Sequence, residues 1–183
     1  MSTLLSVREM GIRIGAANPV DRVSFDVEAG DMLGIVGGSG SGKSLTMRAL
    51  LRLLPSQAAA TGQAIWHGRD LLAMAEGDIR RVRGREIAMT YHEPMMALDP
   101  VLPIGVQNIE SLQVHLGLRG GAARARAVRL LDLLGIPAAK VRLDNYPHEF
   151  SGGMRQRVMI AIALAAEPRQ CATEADLHFR AVA

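Results

Sequence analysis

The stretch GGSGSGKS, residues 37–44, places glycines and serines directly before one lysine and a further serine. It fits the spacing G-x-x-x-x-G-K-[ST], in which glycines let the backbone curl so that successive N–H groups point at an anion. A helix that follows would add its positive N-terminal end. Lys43 would reach the β- and γ-phosphates of a nucleotide, and the Ser44 hydroxyl would ligate Mg²⁺. The predicted nucleotide-binding residues are Gly37, Gly38, Ser39, Gly40, Ser41, Gly42, Lys43, Ser44 and Leu45.

Lysine is a rare choice in this chain. Lys43 and Lys140 are its only lysines, in a total of 21 lysines and arginines. A plain flexible Gly/Ser turn is the alternative interpretation of the stretch. It does not explain a lysine at the one position where a compact ammonium group is needed, so the sequence favours phosphate binding.

A second glycine turn occurs in YPHEFSGGMRQR, where Ser151, Gly152 and Gly153 stand before a long helical pattern. Ser151 is a natural helix N-cap, and two glycines leave the amides open to a close ligand. Most turns of this kind are simple caps. The distance of this turn from residues 37–44, with a helical segment between them, makes it a candidate second anion site.

The surrounding pattern alternates strands and helices. LLSVRE and VSFDVEAGD alternate as half-buried strands do, and MLGIVG, residues 32–37, predicts a buried strand of a parallel sheet. Residues 43–54 predict a helix that Pro55 stops. GQAIWHG and REIAMTYHEP predict two further strands. The fold class is therefore α/β.

The middle of the chain is helical. Residues 105–134 predict helix, with Val128, Leu131 and Leu134 on one stripe and Gly135 as C-cap. Another helix should run from Ser151 to Pro168, and its apolar end predicts deep burial. We therefore expect one domain over residues 1–183, with a helical subdomain at about 92–148 inserted into an α/β core.

Composition sets limits on function. The hydrophobic fraction of 49% suits a packed core, and the net charge of +3 gives no reason to expect nucleic acid as a partner. The single cysteine, Cys171, rules out an internal disulfide. Arg8 and Glu9 interrupt the N-terminal apolar stretch, so no signal peptide is predicted. The longest apolar run, residues 158–166, is too short to cross a bilayer, so we expect any membrane connection to go through another protein.

Three segments together resemble the ATPases of ATP-binding-cassette (ABC) transporters: VSFDVEAGDMLGIVGGSGSGKS, RGREIAMTYHEPMMALDPV and NYPHEFSGGMRQRVMIAIALAAEP. Their sequences are most similar to those of the branch for oligopeptide, dipeptide and nickel uptake, and the resemblance covers about residues 4–168. The resemblance implies a P-loop NTPase core with N-terminal β-strands, and ATP with Mg²⁺ as ligands. Residues 37–44 would be the Walker A loop, and Ser151, Gly152 and Gly153 the signature motif.

The resemblance also implies partners. Two such domains, identical or different, would meet head to tail, with ATP between the Walker A loop of one and the signature motif of the other. An integral-membrane permease would bind the pair at the cytoplasmic side of the inner membrane, where the chain would be peripheral. The implied function is import of peptides or nickel driven by ATP.

Two positions depart from the family pattern. The family has an adenine-stacking aromatic residue near the place of Ile14, which can pack against a base but has no π-face. Before EPM the family has a glutamine that positions Mg²⁺ and the attacking water, and this chain has His92. His92 is a candidate metal or water ligand. A tolerated polar replacement and a functional change remain equally open interpretations of His92.

The third departure is the atypical tail, residues 169–183. The family continues here with an apolar strand that ends in the Walker B aspartate and a catalytic glutamate. The tail has no four consecutive apolar residues, so no buried central strand is expected. Glu174 and Asp176 lack such a strand to carry them, and His178 is interpreted as a solvated histidine. The sequence thus predicts an incomplete C-terminal core, from truncation or a frameshift, and identifies no catalytic residue.

Two alternative functions follow. Loss of a general base costs about 10²–10⁴ in rate, so the chain could be a nucleotide-binding remnant that does not hydrolyse ATP. A soluble ABC-type ATPase acting on DNA is the other alternative. It would call for a basic stripe, a long coiled coil or a zinc insertion, none of which the sequence contains.

Overall fold

The computed structural model describes residues 3–91, 93, 97–168, 170–173 and 178–181, the last two ranges by their backbone alone. The chain divides into two compact units, residues 1–87 with 169–183, and Ala88–Pro168. The strands are β1 (Thr3–Ile14), β2 (Ala17–Glu28), β3 (Met32–Gly34), β4 (Ala58–Trp66), β5 (Arg69–Asp70), β6 (Ile87–Thr90), β7 (Gln170–Thr173) and β8 (His178–Ala181). The helices are α1 (Lys43–Leu50), α2 (Glu76–Val82), α3 (Ile104–Leu116), α4 (Gly120–Leu133), α5 (Ala139–Arg142) and α6 (Gly152–Leu164), with a 3-10 helix at Pro147–Glu149.

The first unit contains an antiparallel sheet in the order β2-β1-β4-β5. β1 and β2 form a hairpin in which Ile12 pairs with Val20 and Ile14 with Ala17. Apolar side chains of β1 alternate toward the core, as the sequence pattern predicts, but a register shift interrupts the alternation where Glu9 has φ 48°. The buried side chains of β1 are Leu4, Leu5, Val7, Met10 and Ile12.

The only tryptophan of the chain lies in this unit. Trp66 is fully buried at the end of β4, and its indole Nε1 donates to Glu86 Oε2 at 2.6 Å. Arg69 Nη2 donates to the same carboxylate oxygen at 2.6 Å. The buried indole therefore has its hydrogen-bond partner, and its fluorescence can report on the folding of this unit.

The prediction of a buried parallel strand over residues 32–37 is wrong. β3 covers only Met32–Gly34 and runs antiparallel to β8. Met32 is 58% exposed and Val36 is 94% exposed. The physical reason is the place of β3 at one end of the second sheet, whose order is β3-β8-β7-β6, because a strand at an edge pairs on one side only.

The tail contains two short strands. The prediction for residues 169–183 excluded a buried central strand and did not foresee these strands; β7 and β8 pair antiparallel, with Cys171 opposite Arg180 and Ala172 opposite Phe179. Strand pairing uses backbone N–H and C=O groups, so short strands form without the apolar run that a fully buried strand needs. Glu174 and Asp176 lie outside the described residues.

Helix α1 ends four residues earlier than predicted. Leu53 N donates to Arg48 O and Arg52 N donates to Ala49 O, the hydrogen-bond pattern of a left-handed C-terminal turn, with Arg52 at φ 53°. Arg83 supports this end, because its Nε donates to Leu51 O at 2.8 Å and its Nη1 to Glu76 Oε1 at 2.7 Å. The hydrogen bond from Arg83 lowers the pKa of the Glu76 carboxyl. A turn and an arginine, and not Pro55, therefore terminate α1.

The second unit, Ala88–Pro168, contains the whole of the predicted subdomain range and α6 in addition. Gly117 at φ 68° separates α3 from α4, and Gly135 at φ 69° follows the end of α4, as predicted. The apolar part of α6 is buried at Val158 and Ala161, and Ala165, directly after the helix, is buried as well. In the part of the chain that the structure describes, no helix is long and apolar enough to span a membrane. The core of this unit includes Ile104, Leu112, Ala127, Leu130, Leu131, Ile136, Leu143 and Phe150.

A buried amide side chain lies in this unit. Asn108 on α3 is fully buried, and neither polar atom of its amide has a hydrogen-bond partner among the described residues. A buried polar group without a partner costs about 1–3 kcal/mol. The neighbouring amide differs, because Gln107 Nε2 donates to Asp99 O and Leu102 O and its Oε1 accepts from Asp99 N.

Leucine has the same branched shape and number of heavy atoms as asparagine, so replacing Asn108 by leucine should stabilise the second unit by about 1–3 kcal/mol. Denaturant unfolding followed by circular dichroism of the helices measures the change. Gln107→Leu is the matched control and should destabilise, because it removes three hydrogen bonds. Equal or lower stability of Asn108→Leu would show that the amide is satisfied.

Candidate functional site

The glycine loop lies in the first unit, between β3 and α1. Gly42 is the N-cap of α1 with φ 85° and ψ 1°, and Gly40 has φ 77°. These positive angles favour glycine. A Cβ placed on Gly38 or on Gly40 would meet nothing within 4 Å, so open space surrounds this stretch of backbone. The loop can therefore present backbone N–H groups to a ligand at the positive end of α1.

Lys43 is bonded to the loop that it follows. Its Nζ donates to Gly37 O at 2.6 Å, to Gly38 O at 2.8 Å and to Ser41 Oγ at 3.2 Å. An ammonium group has three protons, and these three acceptors match them. The charge of Lys43 is thus held over the loop, where an anion bound to the loop would lie.

The loop packs against the β1–β2 hairpin at Gly42. A Cβ on Gly42 would lie 2.5 Å from Val20 Cγ2 and 2.6 Å from Pro19 O, so no side chain fits there. In this hairpin Val20 pairs with Ile12. Ile14, two residues further along β1, lies near the hairpin turn, and its side chain is half-buried. This hairpin therefore links the loop to the predicted adenine-contacting position.

The first turns of α1 offer two hydroxyl groups. Thr46 is buried, and its Oγ1 donates to Gly42 O at 3.0 Å, which closes the first turn. Ser44 is exposed, so its hydroxyl is open to a ligand, and Leu45 follows it half-buried. No group of three or more His, Cys, Asp and Glu side chains that could hold a metal ion occurs among the described residues.

The signature-like turn opens α6 in the second unit. Ser151 is the N-cap with φ −64° and ψ 162°, and its Oγ accepts from Met154 N at 3.4 Å, as the sequence predicts. Ser151, Gly152 and Gly153 are exposed, and a Cβ on either glycine would meet nothing within 4 Å. The start of α6 is therefore open to a ligand from outside the chain.

Sequence reasoning missed the segment just before this turn. Tyr146 and His148 flank Pro147, and their rings stack with centroids 5.7 Å apart and an interplanar angle of 16°. Arg155 braces the segment, with Nε donating to Pro147 O at 2.8 Å. An aromatic residue and a histidine on either side of a proline, close to a glycine turn, were the available signal.

The two predicted nucleotide-binding motifs belong to different units, the loop to the first and Ser151, Gly152 and Gly153 to the second. His92 lies outside the described residues. His178 lies in β8, where the structure describes the backbone alone. The ligand contacts assigned to all of these residues stay predictions.

The glycine loop lies between a strand and a helix, its lysine donates hydrogen bonds to the loop, and it packs against an antiparallel hairpin. This arrangement defines a P-loop nucleotide-binding domain. A model of the ABC transporter family matches residues 20–171. The chain belongs to the ABC transporter family, and nucleotide binding is the property that this family implies.

Curated relatives agree with this class. A putative peptide import ATP-binding protein of Brucella abortus is 49% identical over 156 residues, which are 85% of this chain and 47% of that protein. The oligopeptide transport ATP-binding protein OppD of Haemophilus influenzae is 43% identical over 173 residues, 92% of this chain and 54% of that protein. The chain therefore spans about half the length of these curated relatives.

The fold is that of known ATP-binding cassettes. The dimeric post-hydrolysis structure of the cassette MJ0796 with ADP and Pi has a TM-score of 0.78 and 21% identity, and the match covers 92% of this chain and 72% of that one. The cbiO1 structure of Clostridium perfringens, part of the ABC transporter complex cbiONQ, has a TM-score of 0.72 and 21% identity, covering 94% and 65%. The predicted α/β P-loop fold is confirmed.

Proposed function

We propose that this chain is the ATP-binding subunit of an ABC importer for peptides. The observation that carries the proposal is the loop of residues 37–44, in which Lys43 is held over an open glycine backbone at the start of α1. The peptide-import names of the relatives support peptides as the solute rather than nickel. No residue of the chain is assigned to the solute itself.

The residues present fit the triphosphate of ATP. The loop N–H groups and the positive end of α1 would bind phosphate oxygens, and Lys43 would exchange its carbonyl acceptors for charged ones. Ser44, exposed at the first turn of α1, would hold Mg²⁺. Mg²⁺, when bound, neutralises charge on the phosphates.

The signature-like turn would act on a second nucleotide. We assign Ser151, Gly152 and Gly153 to the ATP held by the loop of another ABC domain, whether a copy of this chain or a different one. The exposed, unobstructed start of α6 supports this role. The membrane partner would be a permease, with this chain peripheral at the cytoplasmic face. The alternative of a nucleotide-binding remnant that does not hydrolyse ATP stays a prediction.

Gly153→Asp tests the second site. An aspartate there would repel the γ-phosphate of the partner's ATP, so ATP-dependent pairing should weaken by at least about tenfold, while ATP binding by the single chain stays unchanged. Sedimentation velocity with and without Mg-ATP measures pairing, and a nucleotide titration measures binding.

Gly121→Asp is the matched control. Gly121 and Gly153 are each the second residue of a helix, α4 and α6, in the same unit, and a Cβ on either meets nothing within 4 Å. Gly121→Asp should pair like the unmodified chain. Equal loss in both variants, or loss of single-chain ATP binding in Gly153→Asp, would refute the assignment in trans.

A further inference from the structure

We propose that Tyr146 and His148 form a stacking site for the purine base of the nucleotide whose phosphates the partner chain's glycine loop holds. The inference rests on the proposed function, because it requires the ATP-dependent pair. It assigns base recognition to residues that no sequence motif identified. The supporting observations are the ring geometry, the rigidity of the segment, its place beside Ser151, and the character of Ile14.

The two rings already have a stacked arrangement. Their centroids lie 5.7 Å apart with an interplanar angle of 16°, which is the range of offset aromatic stacking. Tyr146 is 39% exposed, and His148 is exposed as well. Each ring uses one face for the other ring, so a planar ligand can extend the stack on an outer face. Every nucleobase has such a planar face.

The backbone that carries the rings is held in place by side chains. Glu149 accepts from Tyr146 N at 2.6 Å and from Asn145 Nδ2 at 2.9 Å. Arg155 donates to Pro147 O at 2.8 Å and to His148 O at 3.3 Å. Pro147 is buried beneath the segment. The turn that carries the two rings is therefore held in place. Ligand binding then requires little loss of conformational entropy in this segment.

The ends of this segment are fixed too. Phe150 is 2% exposed, and the Arg142 guanidinium lies 5.6 Å from its ring centroid. On the other side, Ile104 N donates to Asn145 O at 2.9 Å. Anchors at both ends leave the Tyr146 and His148 side chains as the outward-facing part of the turn.

The rings adjoin the proposed phosphate contact. His148 precedes Ser151 by three residues, so their Cα atoms are at most about 11 Å apart. A nucleoside triphosphate carries its base at one end and its γ-phosphate at the other. If the γ-phosphate lies at the Ser151 turn, the base of the same molecule is within reach of a platform placed this close.

The unit that carries the glycine loop has an aliphatic residue, not an aromatic one, at the position predicted to contact adenine. The predicted adenine contact of the loop-bearing unit is Ile14, which is aliphatic and half-buried. An aliphatic side chain can cover a base but supplies no π-face. A ring platform from the other chain would supply stacking, and in a head-to-tail pair of identical chains both nucleotides would receive it.

The test compares ATP with inorganic tripolyphosphate, which has the phosphates without the base. With ATP, Tyr146→Leu should weaken pairing of the chain by about tenfold, the usual scale for loss of one base stack. With tripolyphosphate the same variant should pair like the unmodified chain. Binding of ATP by the single chain should not change, and Tyr146→Phe, which keeps the ring, should behave like the unmodified chain.

Contrary outcomes are distinct. Unchanged ATP-dependent pairing in Tyr146→Leu, or equal weakening with ATP and tripolyphosphate, would overturn the stacking site and leave the proposed function standing. Failure of the unmodified chain to bind ATP would overturn the proposed function, whereas failure to pair in the presence of ATP would overturn the inference alone. His148→Leu serves as the second variant if Tyr146→Leu does not fold. An ATP with a photoreactive azide on adenine should label the peptide that contains Tyr146 and His148 in the paired state, and labelling elsewhere alone would count against the site.

Discussion

Replacing Lys43 by alanine is expected to abolish measurable ATP binding, with a loss of affinity of at least about 100-fold. Hydrogen bonds to charged groups contribute about 1.5–3 kcal/mol each, and Lys43 would make several with the phosphates. The variant also leaves Gly37 O and Gly38 O without the ammonium that they now accept from. Isothermal titration with Mg-ATP measures the affinity directly.

The chain supplies its own control for this experiment. Lys140 on α5 is the only other lysine, and it is exposed. Lys140→Ala removes the same charge from the second unit, so it should bind ATP like the unmodified chain. Equal affinities of Lys43→Ala and Lys140→Ala would mean that the nucleotide does not bind at residues 37–44.

Replacing Gly42 by alanine should damage both folding and binding. The position has φ 85°, and the added Cβ would lie 2.6 Å from Pro19 O, a backbone atom of β2. Left-handed strain and overpacking together should cost about 3–5 kcal/mol of unfolding free energy. Fluorescence of Trp66, buried in the same unit, follows the unfolding in denaturant, and ATP affinity should fall because the start of α1 moves.

Gly38→Ala is the comparison. A Cβ on Gly38 meets nothing within 4 Å, and its backbone does not have a positive φ. Its unfolding midpoint should therefore match that of the unmodified chain. If Gly42→Ala were as stable as Gly38→Ala, the hairpin would have to yield easily at Pro19, and the loop would not be fixed by it.

The features that sequence reasoning predicted correctly are local ones. Residues close in the sequence determine these features, which are the Ser151 cap, the glycine after α4 and the hairpin strands. The spacing of such residues is visible in the sequence itself. Gly42 is a further example, because the motif predicts glycine there for its backbone conformation. The structure adds the contact with Pro19 and Val20, which comes from a distant segment and has no sequence signal.

The incorrect predictions depend on distant partners. The apolar run of residues 32–37 is typical of a central strand, but its exposure is decided by which strands lie beside β3, and among the described strands only β8 does. The end of α1 depends on Arg83, thirty-one residues after Arg52, which donates to its carbonyl. The Tyr146 and His148 rings are visible in the sequence, but their stacking requires the turn that Glu149 and Arg155 hold.

The hydrogen bonds of Lys43 within its own loop have a consequence for the heat and entropy of nucleotide binding. A free lysine side chain loses about 1.5–2 kcal/mol of rotamer entropy when it is fixed, and here the loop carbonyls have already fixed it. Arrival of a triphosphate then replaces one set of acceptors by another rather than ordering a mobile side chain. The ammonium contribution should consequently be enthalpic, the difference between a charged and a neutral acceptor, with little entropic cost from this residue.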